Sequence, residues 1–517
     1  MQCKIDDLPD EILEYILSLI PPYKDLQECM YVSKRWCQAT KNVIEHSRAH
    51  FQKSVAYGSL FWNSWSAGTH WTPTIGKRHS HSACTYDNSM YVFGGCTAAC
   101  TTFNDLWKLD LDTRKWVRPI TMGSYPSPKA CATMLYYKKS FILFGGWSHP
   151  SPYPLHQQWK LFNELHVYSI ESNRWIAING LETPPPTSAH SASIHGNLMV
   201  VFGGVASGYS SNDVWCLNLD SYCWKKQATS SLKPQPRYGQ SQIPLDDKHL
   251  LILGGCTGPN VAMNDAWLLT MEDPIWTWKK VNMRHTESAP TRIWCHQACK
   301  VGNYIIVLSK KKRLSQPSGM SISVGKPANP PHTSNIPFRE RQRSLREIDR
   351  DENVNGRRGY LQRSRNALSN PISPNVPLPV YDSTLSMAAF RDEPVRTNSS
   401  ANRQKQLESL RRMEERLQNR KAQSKAAKKT ENTLAIFVLD ISNILCDECS
   451  ASWVPLKQSD QTGPDERILY SLVLGRGELI VFGGIRKEQA TIQGQTDIDD
   501  SQVFNDLHFI NPPKYVI

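Results

Sequence analysis

The residues of this 517-residue chain best suited to chemistry recur at fixed intervals. His81, His190 and His296 stand in short polar runs ahead of hydrophobic ones. Repeated histidines can hold a metal or move protons, but such a site also needs ligands or paired carboxylates converging on one point. No repeated carboxylate pattern accompanies them. They are read as polar fillers, and neither a catalytic residue nor an enzyme activity of the chain's own is expected. Cys446 and Cys449 have the spacing of half a zinc site. Without a matching pair of cysteines or histidines at finger spacing, no metal and no cofactor is expected.

A second series is basic. Arg78, Lys129 and Arg467 each lie sixteen residues before a Gly-Gly pair, as does Thr187, and Arg237 lies seventeen before one. Fixed cations at equivalent positions around a rim favour an acidic or phosphorylated peptide. The alternative is that these side chains bond internally to loop carbonyls. A third series is aromatic: Trp147, His149, Tyr153, His156 and Trp159 fall in one stretch ending at Phe162. Exposed aromatic residues supply much of the energy of interfaces, so this loop is a candidate for binding a protein substrate. The alternative is a loop packed on itself.

The pairs that measure these distances are the organising feature. Tyr91-Val92-Phe93-Gly94-Gly95 returns as Ile142 to Gly146, Val200 to Gly204, Leu251 to Gly255 and Ile480 to Gly484. β-Branched and aromatic runs signal strands, and the glycines permit positive φ or close backbone approach. A second strand follows each: Asn104-Asp105-Leu106-Trp107, Asn163-Glu164-Leu165-His166, Asn212-Asp213-Val214-Trp215, Asn264-Asp265-Ala266-Trp267 and Asn505-Asp506-Leu507-His508. Trp116, Trp175, Trp224 and Trp276 each follow the acidic residue by eleven positions, which predicts one shared role in packing between blades. Four strands in each repeat of about 50 residues is the pattern of a Kelch propeller. The first four pairs recur every 51 to 58 residues; the next expected position holds Ser309-Lys310, and the missing half of that blade resumes near Leu434. Six blades are predicted, the fifth split by an insert. A segment around Trp65 has the phase of an outer strand and is predicted to complete blade six, since an open ring would expose strand edges.

The N-terminal residues 3–48 read as helical, with Ile12, Leu13, Ile16, Leu17 and Ile20 on one face and a second helical stretch from Lys24 to Asn42. The order Leu8-Pro9-Asp10-Glu11-Ile12-Leu13, Ile16-Leu17, Asp25-Leu26 and Val32-Ser33-Lys34-Arg35-Trp36 resembles an F-box. Most of the chain apart from the insert resembles the F-box–Kelch proteins with one F-box and one Kelch domain, through runs such as Phe103 to Trp107, Ser124 to Ala130, Pro150 to Gln157 and Gly475 to Ile480, and departs from them in blade five, where Ser309-Lys310 replaces Gly-Gly. The resemblance implies a small all-α F-box domain, then an all-β six-bladed propeller spanning 59–309 and 431–517. It implies a Skp-type adaptor bound through Leu8, Pro9, Ile12, Leu13, Ile16, Leu17, Val32 and Trp36, a cullin ligase core beyond it, and a protein substrate on the propeller.

Net charge is +13, but residues 310–430 alone hold 26 Lys/Arg against 11 Asp/Glu. The rest of the chain is close to neutral, so a nucleic-acid partner is expected only through this segment. It is rich in Pro, Ser, Asn and Arg and reads as a disordered basic insert, with Leu407, Leu410, Met413 and Leu417 on one face of a helical stretch, 404–429. No run is long and apolar enough to cross a membrane, no leader is read at the N-terminus, and a cytoplasmic or nuclear location is expected. The leading functional reading is a substrate receptor of a ubiquitin ligase. The alternative is a scaffold that binds RNA or cytoskeleton through the insert and propeller.

Overall fold

The structure is a computed structural model. It describes residues 5–65, 73–99, 101–152, 155–156, 159–180, 182–258, 261–310, 432–456, 463–486 and 502–513. The basic insert, apart from Lys310, and its helical stretch lie outside the described residues.

The N-terminal helices follow from first-turn charge in α1 and from a side-chain cap in α3. Asp10 and Glu11 stand in the first turn of α1 (Asp10–Ser18), where carboxylates complement the helix dipole. The second helical stretch is not continuous. It divides into α2 (Lys24–Glu28), a 3₁₀ turn at Cys29–Tyr31 and α3 (Lys34–Tyr57). The break lies at Ser33, whose hydroxyl accepts from the backbone N–H of Trp36 and starts α3 afresh. Leu13, Leu17, Leu26, Ala39 and Val43 form the buried core of this unit. α3 runs nine residues past the expected helical boundary at 48, and Gly58 ends it with φ +67°. Its last turns carry Phe51 and Val55 into a core shared with Ile306, Val438, Leu472 and Val481 of the propeller.

Six blades follow, each with four antiparallel strands at its heart. In blade one these are Ser82–Tyr86, Ser89–Phe93, Leu106–Asp110 and Lys115–Val117. The ring closes through Phe61–Trp65, which pairs antiparallel with Leu507–Asn511 as the outer strand of blade six, Trp65 opposite Leu507. Neighbouring blades are joined by aromatic contacts. Trp116, Trp175 and Trp224 pack against Phe482, Phe93 and Phe144, the last apolar residue before Gly-Gly in the preceding blade. In blade four that place belongs to Trp278, against Phe202, and not to Trp276. The turn between Ala266–Thr270 and Thr277–Lys280 is longer there, and the packing position moves two residues along.

At the channel the blades meet in a closed collar. Ser80, Cys131, Ala189, Gly239, Cys295 and Leu469 all have φ between +51° and +64°. The N–H of Ser80 donates to the carbonyl of Leu469, Leu469 to Cys295, Cys295 to Gly239, Gly239 to Ala189, Ala189 to Cys131, and Cys131 back to Ser80, at 2.7–3.1 Å. Five of the six are not glycine, so left-handed backbone is held there by the ring itself.

Candidate functional site

The Gly-Gly pairs are inter-blade joints. The N–H of Gly95 donates to the carbonyl of Lys129 at 2.9 Å, and Gly146, Gly204, Gly255 and Gly484 bond in the same way to Thr187, Arg237, Ile293 and Arg78 of the following blade. A Cβ on Gly94 would lie 2.5 Å from the Lys129 carbonyl, and one on Gly95 2.7 Å from that of His79. Glycine is required because a neighbouring backbone occupies the space.

The rim cations are the other half of that joint, which corrects their reading as a ring of charge offered to an acidic substrate. Arg78 and Arg237 are 0–1% exposed. Each forks onto one carboxylate, Arg78 onto Asp105 at 2.7 and 3.0 Å and Arg237 onto Asp265 at 2.7 and 3.1 Å. Each also donates to the carbonyl of its own Gly-Gly, Gly94 or Gly254, at 2.9 Å. Arg467 forks onto Asp506, and Lys129 meets Glu164 at 2.7 Å. Burial opposes ionisation of Asp105 and Asp265, but the hydrogen bonds and charge of their arginines hold both carboxyls below the usual range. Where the cation is missing the partner changes too. In blade three Thr187 replaces it, and Asp213 pairs with Lys226 at 2.9 Å. In blade five Ile293 takes the cation's place and Ala435 the carboxylate's, and the strand Tyr304–Lys310 runs straight through the Gly-Gly position, pairing Ser309 with Ala435 and Lys310 with Leu434. Spacing found these residues; their role, internal clamping, depends on which carboxylate the fold brings opposite.

The channel histidines are held as fillers between blades. His81 Nε2 meets Ser471 Oγ at 3.0 Å and His190 Nε2 meets Thr133 Oγ1 at 2.9 Å, each reaching the preceding blade. Burial lowers the pKa of His190 to about 3 and that of His81 well below the ordinary value, so both are neutral. Among the described residues no group of three or more His, Cys, Asp or Glu is placed to hold a metal. Cys449 is buried and Cys446 exposed at one turn, where the N–H of Cys449 donates to the carbonyl of Cys446.

Among the described residues, two of the surfaces singled out in the sequence stay open. On the Gly-Gly face, Trp147, His149 and Trp159 form a cluster with ring centroids 4.3–4.5 Å apart. Both sequence readings of this loop are present in it: the rings pack on one another, yet Trp159 stays 63% exposed. Burial lowers the pKa of His149 to about 4, which keeps that ring uncharged. Tyr153 and the side chain of His156 lie outside the described residues.

The second open surface is on the helices. Leu13 and Leu17 face inward and are fully buried, so they brace α1 against its neighbours and do not present to an adaptor, a correction to their assignment. Ile16, Trp36 and Leu8 are half-buried. Ile12 and Val32 are exposed, and so is Pro9. Tyr15, Leu19 and Tyr31 join them, with Tyr31 84% exposed, although the motif did not single them out. Three or four residues separate Ile12, Tyr15 and Leu19, and that spacing was the available signal.

The helices are fastened to the propeller at the ends of the strands away from Gly-Gly. Tyr23, fully buried, donates to Glu478, which Arg114 grips at 2.8 Å and Asn511 at 3.1 Å. The Arg114 guanidinium lies 3.8 Å over the ring of Phe509. The backbone N–H of Lys24 donates to Asp112 at 2.9 Å. The apolar face of the helices and the aromatic cluster therefore belong to one body.

Comparison with known proteins agrees with both parts. The F-box-like family model matches residues 5–46, and the model described as FBX42, beta-propeller domain, matches residues 78–278. Kelch domain-containing protein 1 of Homo sapiens is 26% identical over 241 residues, which cover 43% of this chain and 58% of that protein. Kelch domain-containing protein 2 of Bos taurus is 29% identical over 232 residues, 41% of this chain and 56% of that one. The chain thus spans a little over half the length of these curated relatives. The helical motif, the split six-bladed ring and these matches together make this chain an F-box plus Kelch-propeller protein.

Proposed function

We propose that the chain is the substrate receptor of a Skp–cullin–F-box ubiquitin ligase, acting in the cytosol or nucleus. The observation that carries this reading is that five large apolar side chains, Ile12, Tyr15, Leu19, Tyr31 and Val32, are left in water on a domain whose own core is already filled. Surface of that kind marks a protein interface. The Skp-type adaptor covers it, and the propeller holds the target protein through the loops of the Gly-Gly face, Trp159 foremost. The chain does no covalent chemistry in this scheme. It raises the local concentration of a target lysine near a charged ubiquitin carrier.

The test is co-purification with the adaptor and cullin. Leu19→Asp with Val32→Asp is expected to abolish recovery of both while the melting temperature stays at the wild-type value. Full recovery by this variant would overturn the reading. Recovery of RNA or cytoskeletal proteins, with no adaptor bound to the wild type, would favour the scaffold alternative instead.

A further inference from the structure

Under the propeller, on the side away from the Gly-Gly loops, α3 and two hairpin turns enclose a cleft of about 720 Å³. The turns are those around Gly302 in blade five and Gly475 to Gly477 in blade six. Nothing in the ligase reading uses this cleft. It is separate from the exposed apolar residues on α1 and the 3₁₀ turn, and from Trp159.

Its lining has three parts. Ile44, Phe51, Val301 and Leu474 supply apolar walls, and Ile44 and Leu474 are each more than a third exposed. Arg48, Lys300 and Arg476 supply positive charge, and no Asp or Glu is among the lining residues. Arg476 is already paired with Asp87 at 3.1 Å, and Glu478, next to Gly477, is engaged by Arg114 at 2.8 Å, so the cations of the cleft that matter for a ligand are Arg48 and Lys300. Lys300 spends one N–H on the carbonyl of Leu245 at 2.6 Å, and Arg48 makes no ion pair among the described residues. The third part is amide. Gln27, Gln52 and Asn303 line the cleft, and their side chains have no hydrogen-bond partner among the described residues.

Each part restricts the occupant. The apolar walls call for a large aliphatic or aromatic side chain. The unanswered charge calls for an anion beside it, held as a carboxylate by Arg48 and Lys300. The amides both donate and accept, which matches a peptide backbone, whereas the chain of a fatty anion would use none of their donors and acceptors. A concave, mainly apolar cleft with a few convergent polar groups at a domain junction is where ligand sites are commonly found.

We propose that this cleft is a second peptide-binding site, for a short segment of a partner protein in which a large apolar residue stands beside an Asp or Glu. It works independently of adaptor capture and of the Gly-Gly face.

The experiment selects a random heptapeptide phage library on the immobilised full chain. Enriched peptides are then synthesised and titrated by fluorescence anisotropy. The expected sequences pair an acidic residue with Leu, Ile, Phe or Trp. Arg48→Glu and Leu474→Asp are each expected to weaken them at least tenfold, and 0.5 M NaCl to weaken them further, while Trp159→Ala leaves them unchanged. Both substitutions are at exposed positions, so wild-type melting temperatures are expected; if Arg48→Glu melts early, Arg48→Gln replaces it and still removes the charge, and if Leu474→Asp does, Leu474→Ser replaces it and still removes the apolar wall. Enrichment of peptides without acidic residues overturns the proposal. So does binding that survives both substitutions, binding lost with Trp159→Ala, or failure of the library to enrich at all.

Discussion

The rim of the Gly-Gly face and the outer face of the F-box helices each carry a series of side chains that invites a partner, and the fold treats them oppositely. At the rim, Arg78, Lys129, Arg237 and Arg467 are drawn inside and matched one for one by carboxylates. On the helices, Ile12, Leu19, Tyr31 and Val32 stay in water although Leu13 and Leu17, beside them in sequence, are buried. A charge that the fold has already answered is scaffold. Apolar surface that the fold has left unanswered is available to a partner. The same contrast holds within the Gly-Gly face, between the clamped arginines and the uncovered ring of Trp159.

This contrast can be broken by experiment, most severely at the ring closure. Deleting residues 59–73 strips Leu507–Asn511 of its outer partner and opens blade six. Loss of cooperative unfolding in circular dichroism is expected. Unchanged melting would mean that blade six does not depend on this strand.

Next is the clamp. Asp265→Ala leaves the Arg237 guanidinium buried without its carboxylate and is expected to cost about 3–5 kcal/mol in denaturant unfolding, as loss of one partner from a buried pair does. Replacing both, Arg237→Met with Asp265→Leu, should restore much of that loss. If Asp265→Ala is neutral, the rim charges are not scaffold and their reading as a binding surface revives.

Acidification acts on many of these groups at once, and more gradually. His79, His149 and His166 have pKa values lowered to about 4, and His190 to about 3, mainly by burial. Between those values and about 6.5 the unfolded chain binds protons that the folded chain refuses, so stability falls as pH drops below about 6.5. Asp105 and Asp265, whose folded pKa values are lowered, add a further loss below about 4, in the same direction. Melting temperatures between pH 7.5 and 4.5 test the first part, and a flat profile there contradicts it.

The smallest effect on stability is expected at the open surfaces. Trp159→Ala and Tyr31→Ala should each shift unfolding by no more than about 0.5 kcal/mol, as for other exposed positions. Trp159→Ala should nevertheless lose target proteins from pull-downs, and Tyr31→Ala should lose the adaptor. A stability loss comparable to that of Asp265→Ala would place these residues with the scaffold.

Much of the architecture was legible because it repeats. The Gly-Gly phrase gave the blade count and located the one blade that lacks it, and the spacing of Trp65 pointed to the strand that completes the ring. Tryptophan spacing found the inter-blade contacts in three blades and missed in the fourth, where a longer turn moved the role from Trp276 to Trp278. The candidate site was less legible. Register found the rim cations, but whether an arginine faces water or a carboxylate depends on a residue 27 or 28 positions away, Asp105 or Asp265. The alternation along α1 gave an apolar face without saying which of its residues the other helices would cover.

The sequence by itself determined the periodic features: strands, joints, helix starts and the place where the ring is interrupted. These follow from local propensity and from the space a Cβ needs, both of which are written residue by residue. Tertiary structure alone decided how charge and apolar surface were distributed between inside and outside. It paired Arg237 with Asp265, sank Tyr23 onto Glu478 and Arg114, left Tyr31 in water and opened a cleft beneath blades five and six. Burial and pairing are properties of residues distant in the chain, and they exist only once the ring has closed.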